Sequence, residues 1–199
     1  VYTATFTPNA EGAATIDVAA GSFTDGAGNN NFAADQFNWS YDPDAPFGTG
    51  SEADPYQIAT LDDLNWITQN SGEWDAHYIQ TANIDASSSS SWDGGAGFTP
   101  IGNSSTGFTG SYNGDGHTIS NLFINRSTSN IGLFGYIGVN ANSTTTIQNL
   151  GLTNVSITGR NQVGALVGYK RQGMLTVSNC YISGSVTGTN NVGGLVGYL

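Results

Sequence analysis

An internal repeat is the feature that most constrains the fold of this chain. Each copy has an apolar–polar–Asn–apolar segment near its start and closes on Gly-Leu-x-Gly or a near form of it. The three copies span residues 117–135, 147–168 and 177–197. Their asparagines recur at intervals of 28 and 30 residues, and their closing glycines at intervals of 33 and 29. A period of this length indicates a solenoid, in which each repeat is one unit stacked on the next.

The composition favours a solenoid built from strands. The chain has 28 glycines among 199 residues, and its repeats lack the helical stretches that leucine-rich, ankyrin and tetratricopeptide repeats need. Since 38% of the residues are hydrophobic, the chain can form a core. We therefore predict an all-β fold over residues 48–199, a right-handed parallel β-helix that makes one coil per repeat and continues beyond residue 199.

Equivalent positions of the three repeats are predicted to stack as a structural ladder. The asparagines are Asn121, Asn149 and Asn179. They would hydrogen-bond along the solenoid axis and satisfy backbone groups at a bend, although a row of ligand-binding side chains stays open as the alternative. The apolar positions that follow are Leu122, Leu150 and Cys180. We expect these side chains to lie one above another in a dry interior, with Cys180 as a small buried hydrophobe.

One helix is predicted, immediately before the first strands of the solenoid. Thr60 can cap it, carboxylates follow in its first turn, and Leu61, Leu64 and Ile67 fall at helical spacing. A strand is expected over residues 78–84. A single helix in front of stacked strands predicts a cap that covers the end of the core.

The first 42 residues are predicted to form part of a different domain. Segments 1–7, 14–18 and 36–41 alternate as β-strands do. Three strands are about half of an immunoglobulin-like sandwich, so the rest would lie upstream or come from another chain. Residues 14–29 and 37–41 resemble the C-terminal end of bacterial immunoglobulin-like repeats, which occur in large surface adhesins. The proline-containing residues 43–47 are predicted to be a linker.

The repeats also resemble a known motif. Gly132-Leu-Phe-Gly135, Ala165-Leu-Val-Gly168 and Gly194-Leu-Val-Gly197 are similar to the GLUG motif of bacterial surface proteins and of the nonpeptidase part of some secreted immunoglobulin-A proteases. Ala165 departs from the pattern at the first glycine, but alanine is small enough for the fold to persist. The resemblance implies a secreted or surface-displayed module of a bacterial protein, and no catalytic role.

The net charge of the chain restricts the kinds of molecule that it can bind. The net charge is −11 with only 4 Lys and Arg residues, which argues against nucleic acid. No Asp or Glu occurs from Gly116 to Leu199. No run of 18 apolar residues exists, so we expect no membrane insertion. Because the chain starts in mid-strand without Met or a signal peptide, we take it to be an excerpt of a longer extracellular protein.

A calcium site is predicted in the N-terminal part, with no other cofactor. Asp25, Asn29 and Asn31 lie in a glycine-broken loop rich in oxygen ligands, and Asp42 and Asp44 lie near the domain boundary. Calcium takes six to eight such oxygens. The alternative is a plain turn in which Asn and Gly adopt positive φ.

Three functions are open at this point. The first is a non-catalytic adhesion or structural module whose partner is a surface, a matrix or a glycan. The second is a subunit of a self-assembling filament that binds neighbouring copies of itself. The third is a polysaccharide-processing enzyme, for which Asp85, Asp93 and Asp115 are the available carboxylates. An Asp115–His117 pair is disfavoured, since Gly114-Asp-Gly116 is turn chemistry.

Overall fold

The computed structural model describes residues 12–33, 35 and 37–199. They belong to two compact units, of which the first ends at Ala45 and the second begins at Pro46. This division lies inside the segment 43–47 that the sequence marks as a linker.

The first unit contains a pair of antiparallel strands, β1 (Gly12–Ile16) and β2 (Phe37–Tyr41). These strands overlap two of the segments that alternate in the sequence. An antiparallel bridge between Thr24 and Asn30 closes the loop between them. The strand expected over residues 1–7 lies outside the described residues, and an immunoglobulin-like sandwich here stays a prediction.

The second unit consists of one α-helix, α1 (Leu61–Gln69), and fifteen short strands. The strands are β3 (Tyr56–Ile58), β4 (His77–Gln80), β5 (Ile84–Asp85), β6 (Ser111–Asn113), β7 (Thr118–Ser120), β8 (Phe123–Asn125), β9 (Phe134–Ile137), β10 (Thr144–Gln148), β11 (Gly151–Thr158), β12 (Asn161–Gly164), β13 (Val167–Lys170), β14 (Met174–Ser178), β15 (Tyr181–Thr187), β16 (Asn190–Gly193) and β17 (Val196–Tyr198). Three short 3₁₀ turns lie in the connections after α1 and after β5.

The strands stack in parallel across successive coils. One sheet has the order β14-β10-β6-β4-β3, and a second has the order β15-β11-β7-β5 with β8 also paired to β11. The other two sheets are β17-β13-β9 and β12-β16. Strands inside each sheet therefore pair with strands of the coils before and after them, and the predicted parallel β-helix is confirmed.

Alternation within each strand builds the interior. Tyr78, Tyr112 and Ile147 occupy matching positions of β4, β6 and β10, and each is at most 1% exposed. Their neighbours in sequence face the other side of the sheet. Burying a side chain of this size stabilises the fold by about 1.5–3 kcal/mol, so a column of them holds successive coils together.

Helix α1 covers the N-terminal end of this interior. The Asp63 N–H donates to Thr60 Oγ1 (3.1 Å) and the Thr60 N–H donates to Asp63 Oδ2 (2.8 Å), which fixes the start of the helix as the sequence predicts. Leu64 and Ile67 are fully buried. The helix directly follows β3, the first strand of its sheet, so it shields core that would otherwise meet water.

Candidate functional site

Asparagine side chains form ladders along the coil axis, at bends between strands. Asn149 Nδ2 donates to Asn113 Oδ1 (2.9 Å), and Asn179 Nδ2 donates to Asn149 Oδ1 (3.0 Å). Asn149 and Asn179 have φ of 55° and 52°, a left-handed conformation that Asn tolerates better than most residues. The predicted stacking of these two asparagines is observed.

Asn121 belongs to a second ladder at a different bend. Its Nδ2 donates to Asp85 Oδ1 (2.8 Å), and its Oδ1 accepts from Asn154 Nδ2 (2.6 Å). The prediction that Asn121 shares a column with Asn149 is therefore wrong. Both bends need a left-handed residue followed by an apolar one, so the same local sequence occurs twice in one coil. The correct partner was visible in the spacing, because Asn154 follows Asn121 by 33 residues, as Gly168 follows Gly135.

The predicted column of Leu122, Leu150 and Cys180 is also wrong at its first position. Phe123 pairs with Ser156, which places Leu122 at the level of Val155 and not of Leu150. Leu150 and Cys180 do occupy equivalent positions, since Gly151 pairs with Tyr181. Leu122 and Leu150 are both at most 1% exposed, so the dry interior exists although its columns differ from those predicted. Cys180 is half-buried, and this burial raises the pKa of its thiol.

All asparagine ladders run in one direction. In each bond an amide nitrogen of a later coil donates to an oxygen of the coil before it, and Asn190 Nδ2 repeats this with Asn161 Oδ1 (2.8 Å). The Oδ1 atoms that accept in these bonds therefore already have a protein donor and are not free for a ligand. This favours the structural interpretation of the ladders over a row of ligand-binding groups.

The Gly-Leu-x-Gly segments stack in register, as the sequence predicts. The Leu133 N–H donates to the Ala165 carbonyl, and the Ala165 N–H donates to that of Gly194, both at 3.0 Å. A Cβ at Gly168 would lie 2.5 Å from Ile131 N and 2.8 Å from Gly135 O. Glycine is needed at Gly168 because backbone from the neighbouring coil fills the space of a side chain.

An open, shallow groove of about 380 Å³ lies at a corner of the β-helix. Its lining residues come from the ends of β8 and β11 and the turns that follow β8, β11 and β15. They are Asn125, Arg126, Ser127, Thr158, Gly159, Arg160 and Thr189. Nothing in the sequence indicated this groove, because its lining residues are spread over 64 positions from Asn125 to Thr189 and no motif joins them.

The two arginines of the groove differ in their contacts. The Arg126 guanidinium pairs with Asp93 (Nη1 to Oδ2, 3.0 Å) and donates to the carbonyls of Gly97 (3.0 Å) and Phe98 (3.3 Å). Arg126 thereby anchors the 3₁₀ turn before β6. Arg160 is exposed, and across residues 12–33, 35 and 37–199 no hydrogen bond or ion pair engages its guanidinium.

The residues of the predicted calcium site bind groups of their own loops. The Asp25 carboxylate accepts from the Asn29 side chain and N–H and from the Ala27 N–H, all at 2.9 Å, and the Asn29 hydrogen bonds lower the pKa of Asp25. Asn31 Oδ1 accepts from the Phe23 N–H (2.8 Å). Asp42 Oδ1 accepts from the Asp44 N–H (2.9 Å). Among the described residues, no group of three His, Cys, Asp or Glu side chains could hold a metal ion. Calcium binding stays a prediction.

The three carboxylates considered for catalysis lie in separate surroundings. Asp85 accepts from Asn121, Asp93 pairs with Arg126, and Asp115 lies in the turn after β6 with φ of 49°. The turn is closed by a hydrogen bond from His117 N to Gly114 O (2.8 Å).

The structure also brings together His77 and Ser111, which the sequence did not suggest. His77 Nδ1 lies 2.7 Å from Ser111 Oγ, on the outer face of the sheet that contains β4 and β6. His77 and Ser111 are opposite each other in the two strands, so neighbouring coils place them in contact.

No helix in the described part of the chain has the length and apolar character to cross a membrane.

Comparison with known proteins gives relatives but no family. No profile of a known protein family matches the chain. It is 46% identical over 142 residues to halomucin of Haloquadratum walsbyi, a match covering 69% of this chain and 2% of halomucin. It is 38% identical over 125 residues to a proposed Gly-rich membrane protein of Evansella cellulosilytica, a match covering 61% of this chain and 14% of that protein. The chain thus spans a small fraction of the length of either relative.

One solved structure is also similar. It is the crystal structure of a proposed immunoglobulin A1 protease from Bacteroides ovatus. The identity is 18% and the TM-score 0.40, with 77% of this chain and 63% of that chain covered.

Proposed function

We propose that this chain is a rigid structural segment of a large protein at the cell surface or in the extracellular space. Two named relatives support the proposal, halomucin and a Gly-rich membrane protein, since a short part of each resembles this chain. In our proposal the parent protein is displayed on a bacterium and the segment serves adhesion by projecting or presenting a contact surface.

The observation that carries the proposal is the continuity of contacts along the coil axis. Sheet hydrogen bonds, the interior columns and the asparagine ladders all connect one coil to the next. Such a stack bends little, because bending would stretch hydrogen bonds in several sheets at once. A repetitive stack of this kind can become longer by adding coils, without adding separate domains, which suits a spacer.

We further propose that the segment is not catalytic. The dispersed contacts of Asp85, Asp93 and Asp115 support this, since a glycoside hydrolase needs two carboxylates on either side of one bond. Incubation of the chain with a panel of polysaccharides should release no new reducing ends and no unsaturated products. Release of either product, lost on replacing one of these carboxylates, would contradict the proposal.

Labelling of intact cells tests the location. Antibodies raised against this chain should bind unpermeabilised cells of the source organism or detect the protein in the medium. Brief treatment of intact cells with a protease should remove the signal, while a cytoplasmic marker persists. Labelling that needs permeabilisation would refute a surface or extracellular location.

A further inference from the structure

The corner groove runs across three successive coils. Asn125 pairs with Thr158, and Thr158 in turn pairs with Thr187, two residues before Thr189. Neighbouring strands are about 4.8 Å apart, so three coils give the groove a length of roughly 10 Å.

The chemistry of the lining matches a sugar with a negative charge. Amide and hydroxyl groups of Asn125, Ser127, Thr158 and Thr189 can donate to and accept from the hydroxyls of a sugar. Arg160 adds a guanidinium, which binds a carboxylate or sulfate through two parallel N–H donors.

The charge around the groove favours the same ligand. No lining residue is acidic, and the sequence has no Asp or Glu after Asp115. Asp93 lies nearby but is paired with Arg126, which leaves Arg160 as the unpaired charge of the groove.

We propose that this groove binds a short segment of an acidic polysaccharide. Arg160 pairs with a carboxylate or sulfate of the sugar, and the hydroxyl and amide groups of the lining bind its ring hydroxyls. Arg126 holds the wall of the groove and stays paired with Asp93. This inference goes beyond a surface location, since it assigns a ligand class and a binding site.

Binding of the full chain to three soluble polymers tests the proposal. The probes are polygalacturonate, which carries carboxylates, dextran sulfate, which carries sulfates, and neutral dextran. We expect one or both acidic polymers to bind and dextran to bind far more weakly. The comparison of the two acidic polymers identifies which anion the groove prefers.

A matched pair of variants distinguishes binding of the polymer in the groove from its general attraction to any exposed cation. Arg160→Gln removes the charge in the groove, and Arg171→Gln removes an exposed charge outside it. Loss of a charge-assisted hydrogen bond should weaken binding about tenfold or more in Arg160→Gln and little in Arg171→Gln. Unchanged circular dichroism should accompany both, because neither side chain is bonded within the described residues.

Three results would overturn the proposal. They are no binding of either acidic polymer, equal weakening by the two variants, and tighter binding of a single-stranded oligonucleotide than of the acidic polymers. None of these concerns cell labelling, so a failure here leaves the proposed location standing.

Discussion

Replacement of Gly168 by alanine should test directly how tightly the coils stack. An added Cβ would lie 2.5 Å from Ile131 N, 2.6 Å from Asn130 C and 2.8 Å from Gly135 O. All three are backbone atoms, so no side chain can rotate away and the coils themselves must separate. Overpacking of this kind costs about 1–3 kcal/mol. With a urea m-value of about 2 kcal/mol/M, the unfolding midpoint should fall by roughly 0.5–1.5 M.

Gly194 provides the matched control, since it opens the same motif one coil later. A Cβ there meets only Ile182 Cδ1, at 3.7 Å, and the coil before it naturally has Ala165 at this position. We expect Gly194→Ala to be neutral or to stabilise the fold by a few tenths of a kcal/mol, because alanine restricts the unfolded chain. Urea titrations followed by far-ultraviolet circular dichroism measure both. If Gly168→Ala unfolds at the same urea concentration as Gly194→Ala, then our account of coil stacking is wrong.

Three further outcomes follow from the ladders and the interior. Asn149→Ala should cost about 1–3 kcal/mol in urea unfolding, because it loses two amide hydrogen bonds and puts alanine in a left-handed conformation, whereas Asn142→Ala should cost little. The pKa of Asp85 should lie below the usual value, because the Asn121 amide binds the ionised form; its contribution to stability is present above pH 4 or so and is lost as the pH falls through the lower folded-state pKa. Carboxyl NMR titration checks this, and Asn121→Ala should return the value towards normal. Cys180 should react with a thiol reagent more slowly in the folded chain than in urea at the same pH, since burial raises its pKa; equal rates would contradict this.

The sequence by itself predicted the β-helix over residues 48–199. A repeat of about 30 residues, glycines at its closing turn and alternating apolar residues are compatible with few folds other than stacked coils of strands. Helix α1 was equally predictable, because Thr60 and Asp63 satisfy backbone donors within four residues of each other. These features depend on local conformation and period, which a single sequence displays.

The tertiary structure alone decided which residues stack. Asn121 and Asn149 have the same local sequence and both adopt positive φ, yet they occupy different bends, and only the strand pairing shows that Asn121 meets Asp85 and Asn154. Coils differ in length, so a motif that fits two bends leaves the register ambiguous until the whole coil is packed. The groove beside Arg160 was hidden for the same reason, since its wall is assembled from turns of three coils that are distant in sequence.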